Sequence, residues 1–356
     1  MMTKLPDYPQ FLERYFPKDE NGHEMINLAF YFGFRFPDGM RAQFRNRAIR
    51  VCAEYWDLCG QHLKWRTTPV KSAWKKIPPD YDIGNWQNEL ALAVFKKFRP
   101  ASLPPASDKE AALAAMEGSF PEALSEASWI ARFPHLDWAW EMDFHSGQSA
   151  NEAAQFKISA LGDSTQTGGY SHLYLYLPVE WFAENPQHDP VSLFKHWAWL
   201  MQAHFGTAGL GLVPATYLPS MGKTSGLAAA FAQQFPGVEL ADPLGQHNAF
   251  SGLLSANWLN LIDDQLVARL GGIDSIKAQL AQDAYGHLTG LHPFDGGLIL
   301  SSGESPQLLE AGQAGMAPHA YGPVARLLKP LRSTEPWGSW GCPGEQNLAW
   351  LARLDH

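Results

Sequence analysis

Cysteine is nearly missing from this sequence: Cys52, Cys59 and Cys342 are the only three in 356 residues. An odd count with no C-x-x-C pair excludes a fully paired disulfide framework and predicts a reducing compartment. Cys52 and Cys59, seven apart on one apolar helix, read as packed thiols rather than zinc ligands. No apolar run approaches the ~20 residues a membrane helix needs. The segment Met1–Pro9 lacks the apolar core and small-residue cleavage site of a signal peptide. The expectation is a soluble, cytoplasmic protein. Positive charge is also short, with a formal net of −9. This argues against general nucleic-acid binding while leaving room for local basic patches.

Catalytic motifs are missing as well. No G-x-S-x-G elbow occurs, so an α/β-hydrolase nucleophile has no support. Met221-Gly-Lys-Thr224 ends like a phosphate-binding loop, but Tyr217 occupies the first glycine position and Pro219 removes a backbone donor. Gly209-Leu-Gly211 runs into Leu212-Val-Pro214 without the third glycine of a dinucleotide fingerprint. His196 and His204 stand eight apart with no H-E-x-x-H. His172, His287 and His292 are candidates to lie near Asp283 or Asp295, so a hydrolase built from scattered histidines and carboxylates stands as the alternative reading. The expectation from these residues is no metal, no cofactor and no enzymatic activity.

What is present is a large apolar inventory, 46% hydrophobic with 14 Trp, enough for a substantial core. Leu28, Phe30, Phe32, Phe34 and Phe36 alternate strictly, which predicts a strand over 27–36 with one heavily apolar face. A helix over about 40–62 follows. Arg99–Ser107 is Pro-rich and reads as a linker, then helices at about 108–118 and 121–131. A second alternation at 136–144 puts Leu136, Trp138, Trp140, Met142 and Phe144 on one face, with Asp137, Ala139, Glu141 and Asp143 on the other. Strands near 155–161 and 171–178 lead to a helix whose start is marked by Asp189 and Pro190 and whose period-3.6 stripe is Val191, Phe194, Ala198, Met201 and Phe205. A strand at 208–214 and a helix at 223–234 follow. Residues 255–269 read as helix, with Asp263-Asp264 on its solvated face and Gly271-Gly272 as its stop. Strands near 285–291 and 297–302 precede a last helix at 318–330. The fold class is α+β, an antiparallel or mixed sheet with one face covered by helices. Two strand-then-helix units, 27–62 and 171–205, suggest related halves within a single domain spanning 1–356, with a subdivision at 99–107.

Charge is distributed unevenly. Between 41 and 76, Arg41, Arg45, Arg47, Arg50, Lys64, Arg66, Lys71, Lys75 and Lys76 face only Glu54 and Asp57. This reads as a solvated helix face plus loop, with a patch for phosphate or an acidic partner as the functional reading. Between 117 and 152 the acids Glu117, Glu122, Glu126, Asp137, Glu141, Asp143 and Glu152 oppose Arg132 alone. Asp137, Glu141 and Asp143, projecting from one strand face, would sum their fields toward a basic groove on another protein. The alternative is the wet outer face of a half-buried sheet.

Five blocks in order carry a family resemblance. They are Arg41-x-x-Phe44-x-x-Arg47 with Cys59-Gly-x-His62-Leu-Lys-Trp65; Leu177-Pro-x-x-Trp181-Phe182; His204-Phe-Gly-x-Ala208-Gly-Leu; Asn257-Trp-Leu259 through Leu270-Gly-Gly272; and Tyr321-x-x-Val324-Ala-x-x-Leu-Lys-Pro330-Leu-Arg332. Together they resemble the type VI secretion immunity family, although His204-Phe-Gly departs from a His-Gly pattern. The resemblance implies a non-enzymatic protein that binds and neutralises a cognate antibacterial effector, with nuclease effectors associated with the family. The net negative charge and the lack of a long apolar run lead to the expectation of no direct nucleic-acid or membrane partner, and oligomeric state stays open. Asp137, Glu141 and Asp143 are the candidate contacts, with Trp337 and Trp340 of the 336–343 loop as a second candidate anchor, because interface hot spots favour Trp.

Overall fold

The computed structural model describes residues 15–16, 18–67, 73–98, 126–150, 152–163, 171–215, 218–240, 252–253, 256–309, 319–334 and 344–355. The Pro-rich segment 99–107, the helix expected at 108–118, Cys342, Trp337 and Trp340 lie outside the described residues.

The strict alternation of Leu28 through Phe36 forms β1 (Ile26–Phe36), and the remaining strands assemble around it. They are β2 (Trp65–Thr67), β3 (Trp74–Lys76), β4 (Trp140–His145), β5 (Lys157–Gly162) and β6 (Ser171–Leu177), then β7 (Phe205–Pro214), β8 (Leu259–Asp263), β9 (Thr289–Phe294) and β10 (Gly297–Ser302). Their order is β3-β2-β4-β5-β6-β1-β7-β8-β10-β9, one open sheet of ten strands among the described residues. Every neighbouring pair is antiparallel. The α+β expectation therefore holds. Both edges are blunted: β3 exposes Lys75 and Lys76, and β9 carries the exposed Pro293, devices that discourage edge-to-edge pairing.

The phenylalanine face of β1 is covered by α1 (Ala42–Cys59) and α5 (Pro190–Met201). Phe32 meets Phe194 and Trp197 at ring-centroid distances of 5.9 and 5.1 Å, and Phe36 stacks on Phe44 at 5.5 Å. The two helices are tied together by Glu54, whose carboxylate accepts from Trp197 Nε1 at 2.9 Å and lies 2.9 Å from His196 Nε2. Asp189 caps α5 by accepting from Ser192 N at 2.8 Å, and Pro190 opens the helix as its sequence indicates. Cys52 and Cys59 are buried free thiols on α1.

The opposite face is covered too, which departs from the expectation of a one-sided sheet. Over β7, β8 and β10, the helices α7 (Asp264–Arg269), α8 (Ile273–Gln282) and α9 (Gly322–Leu328) pack on Phe205, Ile262, Leu298 and Leu300. All eleven residues of β1 are buried. Alternation reports which residues are apolar, not which face is solvated. The Tyr31 and Arg35 side of β1 is buried despite its polar groups.

Other differences have local causes. Of the 136–144 alternation only the residues from Trp140 onward are strand, which runs to His145. Upstream, Trp138 N donates to Met40 O and Asp137 Oδ1 accepts from Ala42 N, so the extended chain brackets the start of α1 instead of pairing. The helix read at 255–269 is strand to Asp263 and helix after it. Asp263 is the N-cap, accepting from Leu266 N at 2.9 Å, and the apolar residues before it pair with β7 and β10. Met221-Gly-Lys-Thr224 lies within α6 (Leu218–Gln234), not in a loop ahead of it. The strand read near 285–291 begins at Thr289 after a 3-10 turn, and the last-read helix runs over Gly322–Leu328. The helix expected at 121–131 is described only as α3 (Glu126–Arg132); α4 (Trp181–Glu184) is a single turn after β6. The helices α2 (Trp86–Phe98), α8 and α10 (Gly344–Leu351), and the strands β2 and β3, are not among the elements expected from the sequence.

Phe32 is fully buried between Phe182, Phe194 and Trp197. Replacing it with alanine removes its contacts and leaves a cavity at the sheet centre. Phe32→Ala should lower unfolding free energy by about 3–5 kcal/mol, read from urea denaturation midpoints at an unchanged m-value.

Candidate functional site

On the second face of β4, β5, β6, β1 and β7, the registers build three transverse rows. The first runs His145–Lys157–Tyr176–Tyr31–Gly209, the second Asp143–Ser159–Tyr174–Gly33–Thr207, and the third Glu141–Leu161–His172–Arg35–Phe205. Directly opposed residues in antiparallel pairs share a face, so a polar lane crosses five strands. Gly33 is required in it: a Cβ there would sit 2.5 Å from Tyr174 Cε1, so the missing side chain lets the Tyr174 ring lie against the sheet. Arg35 NH2 then donates to Tyr174 Oη at 2.7 Å. Tyr31 Oη lies 2.7 Å from Thr207 Oγ1 and accepts from Asn257 Nδ2 at 3.3 Å.

The β4–β5 end of the lane holds the acidic residues. Asp143 is 4% exposed and Lys157 1%, whereas Glu141 is exposed. Glu141 is thus the solvent-facing member of an otherwise buried group. Burial pushes its pKa up to about 7, and the neighbouring Asp143 charge and a hydrogen bond between the two carboxyls push the same way. Burial also raises Asp143, while Lys157, Ser159 and the bond from Glu141 pull it back. Glycine 147 N donates to His145 Nδ1 at 3.1 Å, leaving the proton on Nε2, and Trp74 packs edge-on against the ring at 4.4 Å. Burial and nearby Lys157 hold His145 down to about 3, so it stays neutral.

The three expected acids are therefore not one exposed row. Glu141 and Asp143 come together, but Asp137 stands before the strand with Oδ1 committed to the α1 N-terminus at 2.7 Å. Lys157, Ser159 and His145 were invisible as site residues. Lys157 and Ser159 alternate with Ile158 and Ala160 like an ordinary solvated strand face, and only the cross-strand register sets them beside Asp143.

The basic segment 41–76 is dispersed. Arg45 is fully buried and donates to Phe133 O and Leu136 O, Arg66 pairs with Glu89, Arg41 pairs with Asp38, and Arg47 lies over the Phe44 ring. The histidines read as potential acid–base groups are scattered as well. Asp283 is bound by Arg326 at 2.7 Å, His292 Nε2 lies 3.0 Å from Ser301 Oγ, and His172 belongs to the lane. His204 and Asp263, 2.6 Å apart, form a pair no sequence signal announced. Among the described residues no group of three or more His, Cys, Asp or Glu could hold a metal ion, and no helix is long and apolar enough to cross a membrane.

Because Glu141 takes up a proton more readily in the folded chain than in the unfolded one, protonation stabilises the fold at low pH. That support is lost as pH rises through about 7. Glu141→Gln cannot ionise, so its melting temperature relative to the unsubstituted chain should increase between pH 5 and pH 8, measured by paired thermal melts.

Comparison with curated proteins yields no significant match. Among solved structures, the Pseudomonas aeruginosa T6SS protein PA0821 aligns over 98% of this chain and 91% of its own, with a TM-score of 0.65 and 17% sequence identity. At that identity the likeness is one of fold. The family model described as type VI immunity for VRR-NUC matches residues 107–354, which include β4 through β10 and the Glu141–Asp143 pair. Matched over well more than half of its length, the chain belongs to this TsiV family of type VI immunity proteins.

Proposed function

We propose that this immunity protein neutralises a VRR-NUC-type nuclease effector by binding it and covering its active site or substrate path. The observation that carries the reading is the family match over residues 107–354. Electrostatics support it. A nuclease must present a basic groove to a phosphate backbone, and this chain carries a net charge of −9. Complementary charge accelerates association and fixes orientation. Meeting the effector in the cytoplasm fits such a target.

Glu141 is the acid best placed to take part, since it is exposed at the end of β4. Asp143 acts behind it, too buried to touch a partner without Glu141 moving. Asp137 contributes field from the start of α1 while capping that helix. Trp337 and Trp340 are the proposed apolar anchors.

The test is co-expression with the VRR-NUC effector of the same genome, paired with pull-down of its catalytically inactive form. Survival together with a stable complex supports the reading; growth arrest with no complex sinks it. Protective complexes are expected at nanomolar Kd or tighter, over roughly 1,600 Å² of total buried surface. Glu141→Lys should weaken binding about tenfold or more at low salt, with the difference shrinking as ionic strength rises. An affinity unchanged at low salt removes Glu141 from the interface.

A further inference from the structure

Four large apolar side chains are exposed among the described residues: Trp199, Ile273, Tyr285 and Leu288. Three of them fall in one stretch, from the first residue of α8 to the 3-10 turn ahead of β9. A single exposed apolar residue is ordinary on a protein surface, whereas a group of them marks a contact face. Tyr285 and Leu288 share one turn, each 39% exposed, with Leu288 N donating to Tyr285 O at 2.9 Å. The turn is held on every side. Asp283 Oδ1 accepts from Tyr285 N at 3.0 Å, and Arg326 Nε and NH2 donate to Asp283 Oδ2 at 3.0 and 2.7 Å. His319 stacks on the Tyr285 ring at 4.0 Å, and Gly303 N donates to Leu288 O at 3.1 Å. An aromatic anchor fixed in this way loses little freedom on binding.

The charge around this patch is acidic. Asp264 on α7, Asp274 on α8, Asp295 in the β9–β10 turn and Glu304 after β10 are all exposed. The bond from Gly303 to Leu288 brings Glu304 alongside the apolar turn. Against them stand the exposed Arg269 and Lys277, and Lys277 is already paired with Asp274 at 3.6 Å. On the other flank Arg326 and Lys329 are paired with Asp283 and Asp355. An apolar centre with an acidic rim fits a basic partner. We propose that this α8–β9 rim is a contact face for the nuclease effector. Tyr285 and Leu288 are its apolar anchors, Ile273 marks its far end, and a basic surface of the nuclease meets the acids. This rests on the nuclease-binding reading and assigns a face which that reading leaves open. In the sheet order β9 lies seven strand spacings from β4, roughly 34 Å at ~4.8 Å per spacing. The face is therefore separate from Glu141, and an effector that reaches both lies across the width of the sheet.

The experiment is titration calorimetry of the full chain with the catalytically inactive VRR-NUC effector, comparing the unsubstituted chain with the double variant Tyr285→Ala, Leu288→Ala. Both side chains are exposed, so the variant should keep its melting temperature while Kd rises by at least about 30-fold. Glu304→Lys should weaken binding about tenfold at low salt and less as ionic strength rises. Hydrogen exchange of the unsubstituted chain, with and without the effector, reads the same face without any substitution. Amides within 273–294 should exchange more slowly in the complex. A folded double variant whose Kd stays within about threefold of the unsubstituted chain, or a complex that leaves 273–294 unprotected, overturns this face alone. If the unsubstituted chain forms no complex, the nuclease reading fails and the face falls with it. Sedimentation of the free chain covers the remaining occupant: a dimer that the double variant dissolves gives the face to a second copy of this chain and overturns the proposal.

Discussion

The pairing of β1 with β6 and β7 is the constraint on which the rest of the structure depends. Seven register pairs join β1 to β6 and ten join it to β7, so one strand links the 26–177 strands to those of 205–302. Its phenylalanine face anchors α1 and α5, and its other face supplies Tyr31, Gly33 and Arg35 to the polar lane. Burying Phe30, Phe32, Phe34 and Phe36 completely removes about 150–250 Å² from water for each ring. That gain offsets much of the cost of ordering a sheet whose contacts are far apart in sequence. Slip this strand by one residue, and every phenylalanine turns toward the polar lane while tyrosine and arginine enter the apolar layer.

The lane is the price of a sheet buried on both sides. Polar groups removed from water must find partners, and the register provides them: Arg35 with Tyr174, Tyr31 with Thr207 and Asn257, Asp143 with Ser159 and Lys157. At the β4 end this satisfaction is incomplete. There burial raises the pKa of both Glu141 and Asp143.

The family match makes this chain a type VI immunity protein of the TsiV family, and the Pseudomonas T6SS protein PA0821 shares its fold. The observed geometry suits that role. The two sheet edges are blocked by lysine and proline, so strand addition is disfavoured, and recognition falls to side chains on the faces and rims. The chain's net charge of −9 gives it a negative long-range field, and Glu141 is exposed while Asp143 beside it is buried.

Several elements were legible from residues alone. β1, α1 and α5 declare themselves because local periodicity and caps such as Asp189-Pro190 act within a few residues. The buried state of Cys52 and Cys59 follows from the same periodicity. The α+β class was readable too. Strand β8 was not, because Leu259 to Asp263 is as apolar as a helix and only pairing with β7 and β10 decides otherwise. Nor could the sequence show that Asp137 caps a helix 95 residues away, or that Lys157 stands beside Asp143. The sequence by itself determined which segments are strand or helix where the period is strong, and the sign of the long-range field. Tertiary structure alone decided which acids are exposed and which are paired, because burial and cross-strand register join residues distant in the chain.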